Sequence, residues 1–152
     1  MNYWLMKSEP DECSIDDALA ARGRLTPWTV VRNYMARNYM RDAMRIGDGV
    51  FFYHSSCAEP GIAGLAEVAS AAYTDPTQFD RKSDYYDPQS KKAAPRWIAV
   101  DIRALKKTRL VSIAQLKAAK PLAQMLTLRP GNRLSITPVT AAEWAYITGK
   151  LA

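Results

Sequence analysis

The chain has 152 residues, of which 48% are hydrophobic, with a mean hydropathy of −0.27 and a formal net charge of +6. That length suits one domain, spanning 1–152, with a genuine core. No apolar run approaches the roughly 18 residues of a membrane span. The first residues, Met1-Asn2-Tyr3-Trp4-Leu5-Met6-Lys7, lack the basic-then-apolar layout of a signal peptide. Cys13 and Cys57 form no C-x-x-C pair and are expected to stay reduced, which places the protein in the cytoplasm if bacterial or the nucleus if eukaryotic.

Charge is unevenly placed. The first 31 residues hold three Lys/Arg against five Asp/Glu, so the remainder carries +8. A basic excess confined to part of a chain fits either a solvated basic surface or a polyanion partner.

Tyr3 to Lys7 alternates and is aromatic-rich, which predicts a strand broken by Ser8-Glu9-Pro10. Ser14 caps a short helix, with Asp17 in the third-residue position and Gly23 closing it. Trp28 to Asn38 then reads as a loop running into a helix. From Tyr34 onward, Met35, Ala36, Tyr39, Met40, Ala43 and Ile46 gather on one helical face, which is expected to meet the core. The other face carries Tyr34, Asn38 and three arginines, Arg37, Arg41 and Arg45, at i, i+4 and i+8. Such a face is commonly just solvated. Arginines at that spacing without balancing Glu repel one another, so a phosphate partner is the more economical account.

Gly47-Asp48-Gly49 turns the chain into a buried strand from Val50 to His54, and Ile62 to Tyr73 reads as another. Thr74 to Pro95 is a long irregular piece holding three Pro together with Phe79, Tyr85 and Tyr86. Three aromatics are more than a disordered linker carries, so this segment is expected to lie over something. A strand from Arg96 to Ile102 follows. Ser112 with Gln115 opens a helix, Leu134 to Val139 forms a strand, and Thr140 with Glu143 caps a last helix closed by Gly149. Strands and short helices intermix without a regular βαβ rhythm. The fold class is therefore α+β, with a small mixed β-barrel and peripheral helices as the expected form.

Catalytic signals are weak. There is one histidine, His54, and no pair at metal-ligand spacing, so neither a metal nor a cofactor is expected. Ser55 and Cys57 near His54 in sequence do not make a triad. Lys7-Ser8-Glu9 reads either as a polar turn or as a pocket rim where Glu9 accepts from an exocyclic amino group such as N4 of cytosine. Trp28 is either a core residue or a stacking platform beside Arg32 and Asn38. A flat aromatic among amides and guanidinium groups suits a nucleobase held in a nucleic acid.

Together these segments resemble the EVE domain, a PUA-like family. The resemblance is carried by Tyr3-Trp4-Leu5-Met6-Lys7-Ser8-Glu9-Pro10, Val31-Arg32-Asn33-Tyr34 with Ala36-Arg37-Asn38, and Phe52-Tyr53-His54-Ser55. Gly61-Ile62-Ala63-Gly64, Tyr85-Tyr86-Asp87-Pro88, Pro95-Arg96-Trp97 and Arg133-Leu134-Ser135 extend it over essentially the whole chain. The resemblance implies a PUA-like mixed β-barrel that recognises a modified base, chiefly a modified cytosine in DNA, with RNA as a further partner. By motif, the base pocket would be formed by Lys7, Ser8 and Glu9, by Trp28, Arg32, Asn33, Tyr34 and Asn38, and by His54 and Ser55. Tyr85 and Tyr86 would lie at its mouth, with Arg37, Arg41 and Arg45 on the phosphates.

Two residues depart from the family pattern: Val30 replaces an expected Gly, and Met35, turned by helical phase towards the core, replaces Gln. The expected role is non-catalytic base capture. The alternatives are a small PUA-like hydrolase of modified nucleosides using Lys7 and Glu9, for which the G-x-K-x-x-E motif is absent, and a protein-interaction module built on the long aromatic loop.

Overall fold

The computed structural model describes residues 1–29 and 31–152, so Val30 lies outside the described residues. Seven strands form one mixed sheet: β1 (Tyr3–Ser8), β2 (Leu25–Trp28), β3 (Gly49–His54), β4 (Gly61–Val68), β5 (Tyr73–Thr74), β6 (Ile98–Ser112) and β7 (Ile136–Val139). Their order is β2-β6-β4-β3-β1-β7, with β5 also on β6. Only β1 and β3 pair in parallel. Four α-helices are short: α1 (Ile15–Ala20), α2 (Tyr34–Asn38), α3 (Ile113–Ala118) and α4 (Ala141–Tyr146). No helix of the described residues is long and apolar enough to cross a membrane.

Both faces of the sheet are buried, and alternation along each strand decides which residue goes where. Trp4, Met6 and Phe52 pack with Ile15 of α1 and with Ala36 and Met40 around α2. Leu5, Phe51 and Tyr53 point the other way, against Leu116 of α3 and Ile147 beyond α4. This is why the central strands read as near-continuous apolar runs.

Ser14–Asp17, Ser112–Gln115 and Thr140–Glu143 each form a complete capping box, starting α1, α3 and α4 where the sequence places them. Gly64 permits α1 to dock: a Cβ there would sit 2.5 Å from Ile15 Cδ1.

The structure corrects several boundaries. Trp28 ends strand β2 instead of lying in a loop, and Pro27 is accommodated because β2 is a terminal strand. Pro138 is tolerated in β7, at the opposite end of the sheet, for the same reason. The strand begun near Arg96 runs on to Ser112, because pairing with β4 supports a solvent-facing basic stretch that lacks apolar alternation. Helix α2 passes at Tyr39 into a π-helical turn over Tyr39–Ala43. That wider turn leaves Ala36, Met40 and Met44 buried at four-residue intervals. Met35 (54% exposed), in the first turn of α2, and Ile46 (67% exposed), beyond the end of the helix, miss the core they were expected to join. Gly149 lies within a second π-helical turn, Ile147–Leu151, and does not close the last helix.

The expected closure into a barrel is not seen. Among the described residues β2 pairs only with β6 and β7 only with β1, so the sheet has two open ends.

One buried carboxylate ties the N-terminus to the β3 turn. Asp48 accepts from Trp4 Nε1 at 3.0 Å, from the Asn2 amide at 3.1 Å and from the Arg45 amide at 2.9 Å. Asp48→Ala leaves these donors without that acceptor. An unpaired buried donor costs about 1–3 kcal/mol, so a loss of about 3 kcal/mol or more is expected in urea denaturation. Asp48→Asn should recover part of it.

Candidate functional site

The carboxyl ends of the parallel pair β1 and β3 lie side by side, with the Ser55 amide donating to the Ser8 carbonyl at 3.0 Å. The Lys7 amide donates to the Ser135 carbonyl at 2.8 Å, which brings in the segment leading to β7. Beside them opens a cavity of about 690 Å³, within the range of roughly 300–1,000 Å³ typical of small-ligand sites. Lys7, Ser8 and Glu9 line one side, with Ser55, Ser56, Arg133 and Ser135. Thr26, Pro27, Trp28 and Thr29 of β2 and its end line the other, with Glu12 and Cys13 from the turn after β1 and Tyr85 from the long loop. β2 and β7 stand at opposite ends of the strand order. The sheet therefore curls so that β2 and the approach to β7 line one cavity, an open seam between its two ends.

The indole of Trp28 is 3% exposed and meets Phe52 edge-on, with ring centroids 5.5 Å apart. It is thus a wall of the cavity with most of its surface packed, not an open platform. Its Nε1 is the one buried side-chain nitrogen or oxygen, among the described residues, with no hydrogen-bond partner. Ser8 Oγ donates to the Cys13 carbonyl at 2.7 Å, leaving its lone pairs to accept. Burial lowers the pKa of the Lys7 ammonium, which lies 5.8 Å from the centre of the Tyr53 ring and has no carboxylate within ion-pair distance among the described residues. Lys7 and Arg133 set two cations against the carboxylates of Glu9 and Glu12, so the lining is polar and mixed in charge. Ser56 adopts φ +55°, a left-handed conformation rare outside glycine, at the cavity wall.

Tyr85 is held at this cavity from two directions. Its hydroxyl donates to the Glu12 carboxylate at 2.7 Å, and burial together with that partner pushes its pKa up to about 12. Its carbonyl accepts from Arg32 Nη2 at 2.7 Å and from Nε at 3.2 Å. The other Arg32 donors reach the Thr29 and Val31 carbonyls, Thr77 Oγ1 and the fully buried Asp75. The long loop thus does lie over something: Arg32 fastens it beside the end of β2.

The cavity brings together Lys7, Ser8, Glu9, Trp28, Ser55 and Tyr85 from the sequence-derived set, and leaves out the rest. Arg32 spends its donors as just described. Asn33 caps α2, its Oδ1 accepting from the amides of Met35 (2.9 Å) and Ala36 (3.1 Å). Tyr34 stacks on Trp97 at 5.0 Å, with the Arg37 guanidinium 4.6 Å from its ring centre. Asn38 Oδ1 accepts from Arg37 Nε at 3.1 Å. His54 Nε2 accepts the Ile15 amide at 3.1 Å, which fixes the neutral imidazole with its proton on Nδ1 and anchors α1; burial lowers its pKa. Tyr86 is half-buried in a turn and does not line the cavity.

The three arginines expected on one helical face are internally occupied as well, and Arg45 lies beyond the end of the helix. Arg37 reaches the Arg96 carbonyl at 3.0 Å, Arg41 pairs with Asp42 at 2.9 Å, and Arg45 donates to the Met44 carbonyl at 3.0 Å. Glu12, Thr26, Arg133 and Ser135 are among the lining residues that sequence reasoning did not assign to the pocket. The Arg133-Leu134-Ser135 motif was the available signal for the last of these segments.

The fold is thus an α+β domain with a polar, partly aromatic cavity of ligand size at the open ends of a mixed sheet. Residues 2–150 match the EVE domain model, and the chain belongs to that family. It is 41% identical over 164 residues to thymocyte nuclear protein 1 of Homo sapiens, spanning 96% of this chain and 72% of that protein. A crystal structure of a Pseudomonas putida protein superposes with a TM-score of 0.92 at 44% identity, covering 97% of both chains. The human THYN1 protein, solved in complex with DNA containing 5-methylcytosine, superposes with a TM-score of 0.92 at 40% identity, covering 98% of this chain and 96% of that one.

Proposed function

We propose that this domain binds DNA carrying a modified cytosine and captures the single modified base in the seam cavity, without catalysis. The observation that carries the reading is the ligand-sized cavity in a chain so similar to a protein solved with 5-methylcytosine DNA. In this reading the sheet is a PUA-like barrel left unzipped between its end strands, and the open seam admits the base.

The chemistry of the lining fits a pyrimidine edge. Glu9 accepts from the exocyclic N4 amino group, while Lys7 donates to the ring acceptors. Trp28 and Tyr85 bound the ring on its apolar surfaces. Arg32, Asn33, Asn38 and His54 act one step back, holding the loop, α2 and α1 that shape the cavity. Flipping a base costs a few kcal/mol, and phosphate contacts help to offset it, so binding should weaken steeply with salt.

Matched DNA oligonucleotides carrying cytosine or 5-methylcytosine, titrated at two salt concentrations, test this directly. Methyl burial is worth about 0.8 kcal/mol, so a preference of about fourfold is expected from that contact alone. Glu9→Gln should lower affinity for the modified strand more than for the plain one. Equal affinity for both strands, unchanged by Glu9→Gln, would end the base-capture reading. A stronger preference for a modified RNA would move the same pocket chemistry to RNA.

The hydrolase alternative rests on Lys7 and Glu9 sharing one cavity. Product release from an acylated cytidine, lost in Lys7→Met, would establish it.

A further inference from the structure

A second hollow of about 700 Å³, more open than the first, lies between the start of α2 and residues 126–134. Asn33, Tyr34 and Met35 form one wall, and the turn from Arg129 to Leu134 forms the other. Arg133 lines both hollows, so they adjoin at that residue.

Three observations say what this cleft suits. First, its charge is one-sided: Arg129 and Arg133 line it and no carboxylate does, whereas the seam cavity carries Glu9 and Glu12. Second, both arginines are exposed and neither has a carboxylate partner among the described residues, unlike Arg32 and Arg41. Third, the turn that presents them is pinned. Asn132 Nδ2 donates to the Leu126 carbonyl at 2.6 Å, its Oδ1 accepts from the Leu134 amide at 2.9 Å, and Gly131 takes φ +78°. A fixed turn holding two unpaired guanidinium groups is pre-organised for phosphate oxygens. The remaining wall is apolar and adaptable, with Met35 54% exposed beside Pro130 and Leu134.

We propose that this cleft is a subsite for the phosphodiester backbone next to the captured base. Arg129 and Arg133 hold the phosphates, and Met35, Pro130 and Leu134 rest against the neighbouring sugar and base. The inference rests on the base-capture reading and relocates its phosphate grip from the α2 arginines to the 129–133 turn.

Arg129→Gln, an exposed change in a loop, tests it by fluorescence anisotropy against a 5-methylcytosine DNA oligonucleotide. Affinity is expected to fall about fivefold, and the salt slope by about 0.7–0.9, equally for modified and plain strands. Binding of the free nucleoside 5-methyldeoxycytidine should not change, because it has no phosphate to reach the turn. Arg22→Gln removes an exposed charge from the turn before β2 and should leave the slope intact. An unaltered slope in Arg129→Gln, with nucleoside binding intact, overturns the subsite alone. Failure of the unmodified protein to bind either the oligonucleotide or the nucleoside overturns the subsite and the base-capture reading together.

Discussion

Replacing Arg32 with methionine should destabilise the fold by about 3–5 kcal/mol, because it strands the charge of a buried partner. Asp75 is fully buried and takes Arg32 Nη1 at 2.8 Å. The Thr77 amide and hydroxyl, at 2.7 and 2.6 Å, still serve its other oxygen, but no second cation is within ion-pair distance among the described residues. For a domain of this size the loss corresponds to a fall in Tm of about 10 °C. The same change frees the Tyr85 carbonyl, so affinity for modified DNA should drop further than the unfolded fraction explains, measured well below Tm. Arg32→Lys keeps the charge but not the fan of donors, and should recover stability only in part. A variant with unchanged Tm would show that the ion pair and its loop are not what fastens this side of the cavity.

Trp28 carries the second large effect, and its two substitutions separate packing from recognition. Trp28→Ala removes a side chain that is 3% exposed against Phe52, for which a loss of about 3–5 kcal/mol is expected in thermal or urea melts. Any loss of DNA binding would then be confounded with unfolding. Trp28→Phe keeps most of the wall and deletes an N–H that has no partner in the free protein. Its stability should change little, since a smaller ring leaves a gap while an unsatisfied donor disappears. Because that N–H is shut off from the cavity, this variant should keep both its preference for the modified strand and its salt slope. A Trp28→Phe protein that folds as stably but loses discrimination would show that the indole itself takes part in reading.

The α2 segment shows where sequence reasoning held and where it did not. Alternation and capping residues located α1, α3, α4 and the central strands, because each signal acts within a few residues of itself. Arg37 lies in α2 and Arg41 in the π-helical turn after it, but the helical path ends at Ala43, so Arg45 falls outside the helix that spacing predicted. Spacing says nothing about what else their guanidinium groups meet. Asn38, the Arg96 carbonyl, Asp42 and the Met44 carbonyl occupy them in the folded chain. Met35 was assigned to the core by a regular 100° step, and the π-helical turn after Asn38 shifted the buried row to Ala36, Met40 and Met44. The family resemblance placed His54 and Arg32 in the pocket by motif, yet their partners lie 39 and 43 residues away, in Ile15 and Asp75.

The sequence by itself determined the family, the mixture of strands and short helices, the buried strand from Val50 to His54 and the residues at the ends of β1 and β3. These follow from local periodicity, capping chemistry and long ordered motifs, all of which are written along the chain. Tertiary structure alone decided that the sheet stays open, that β2 and the approach to β7 face each other across the gap, and that Arg133 and Glu12 join the lining. It also decided which arginines remain unpaired. The reason is physical: a cavity and a free charge are both defined by what distant segments fail to fill, and no local pattern encodes an unfilled space.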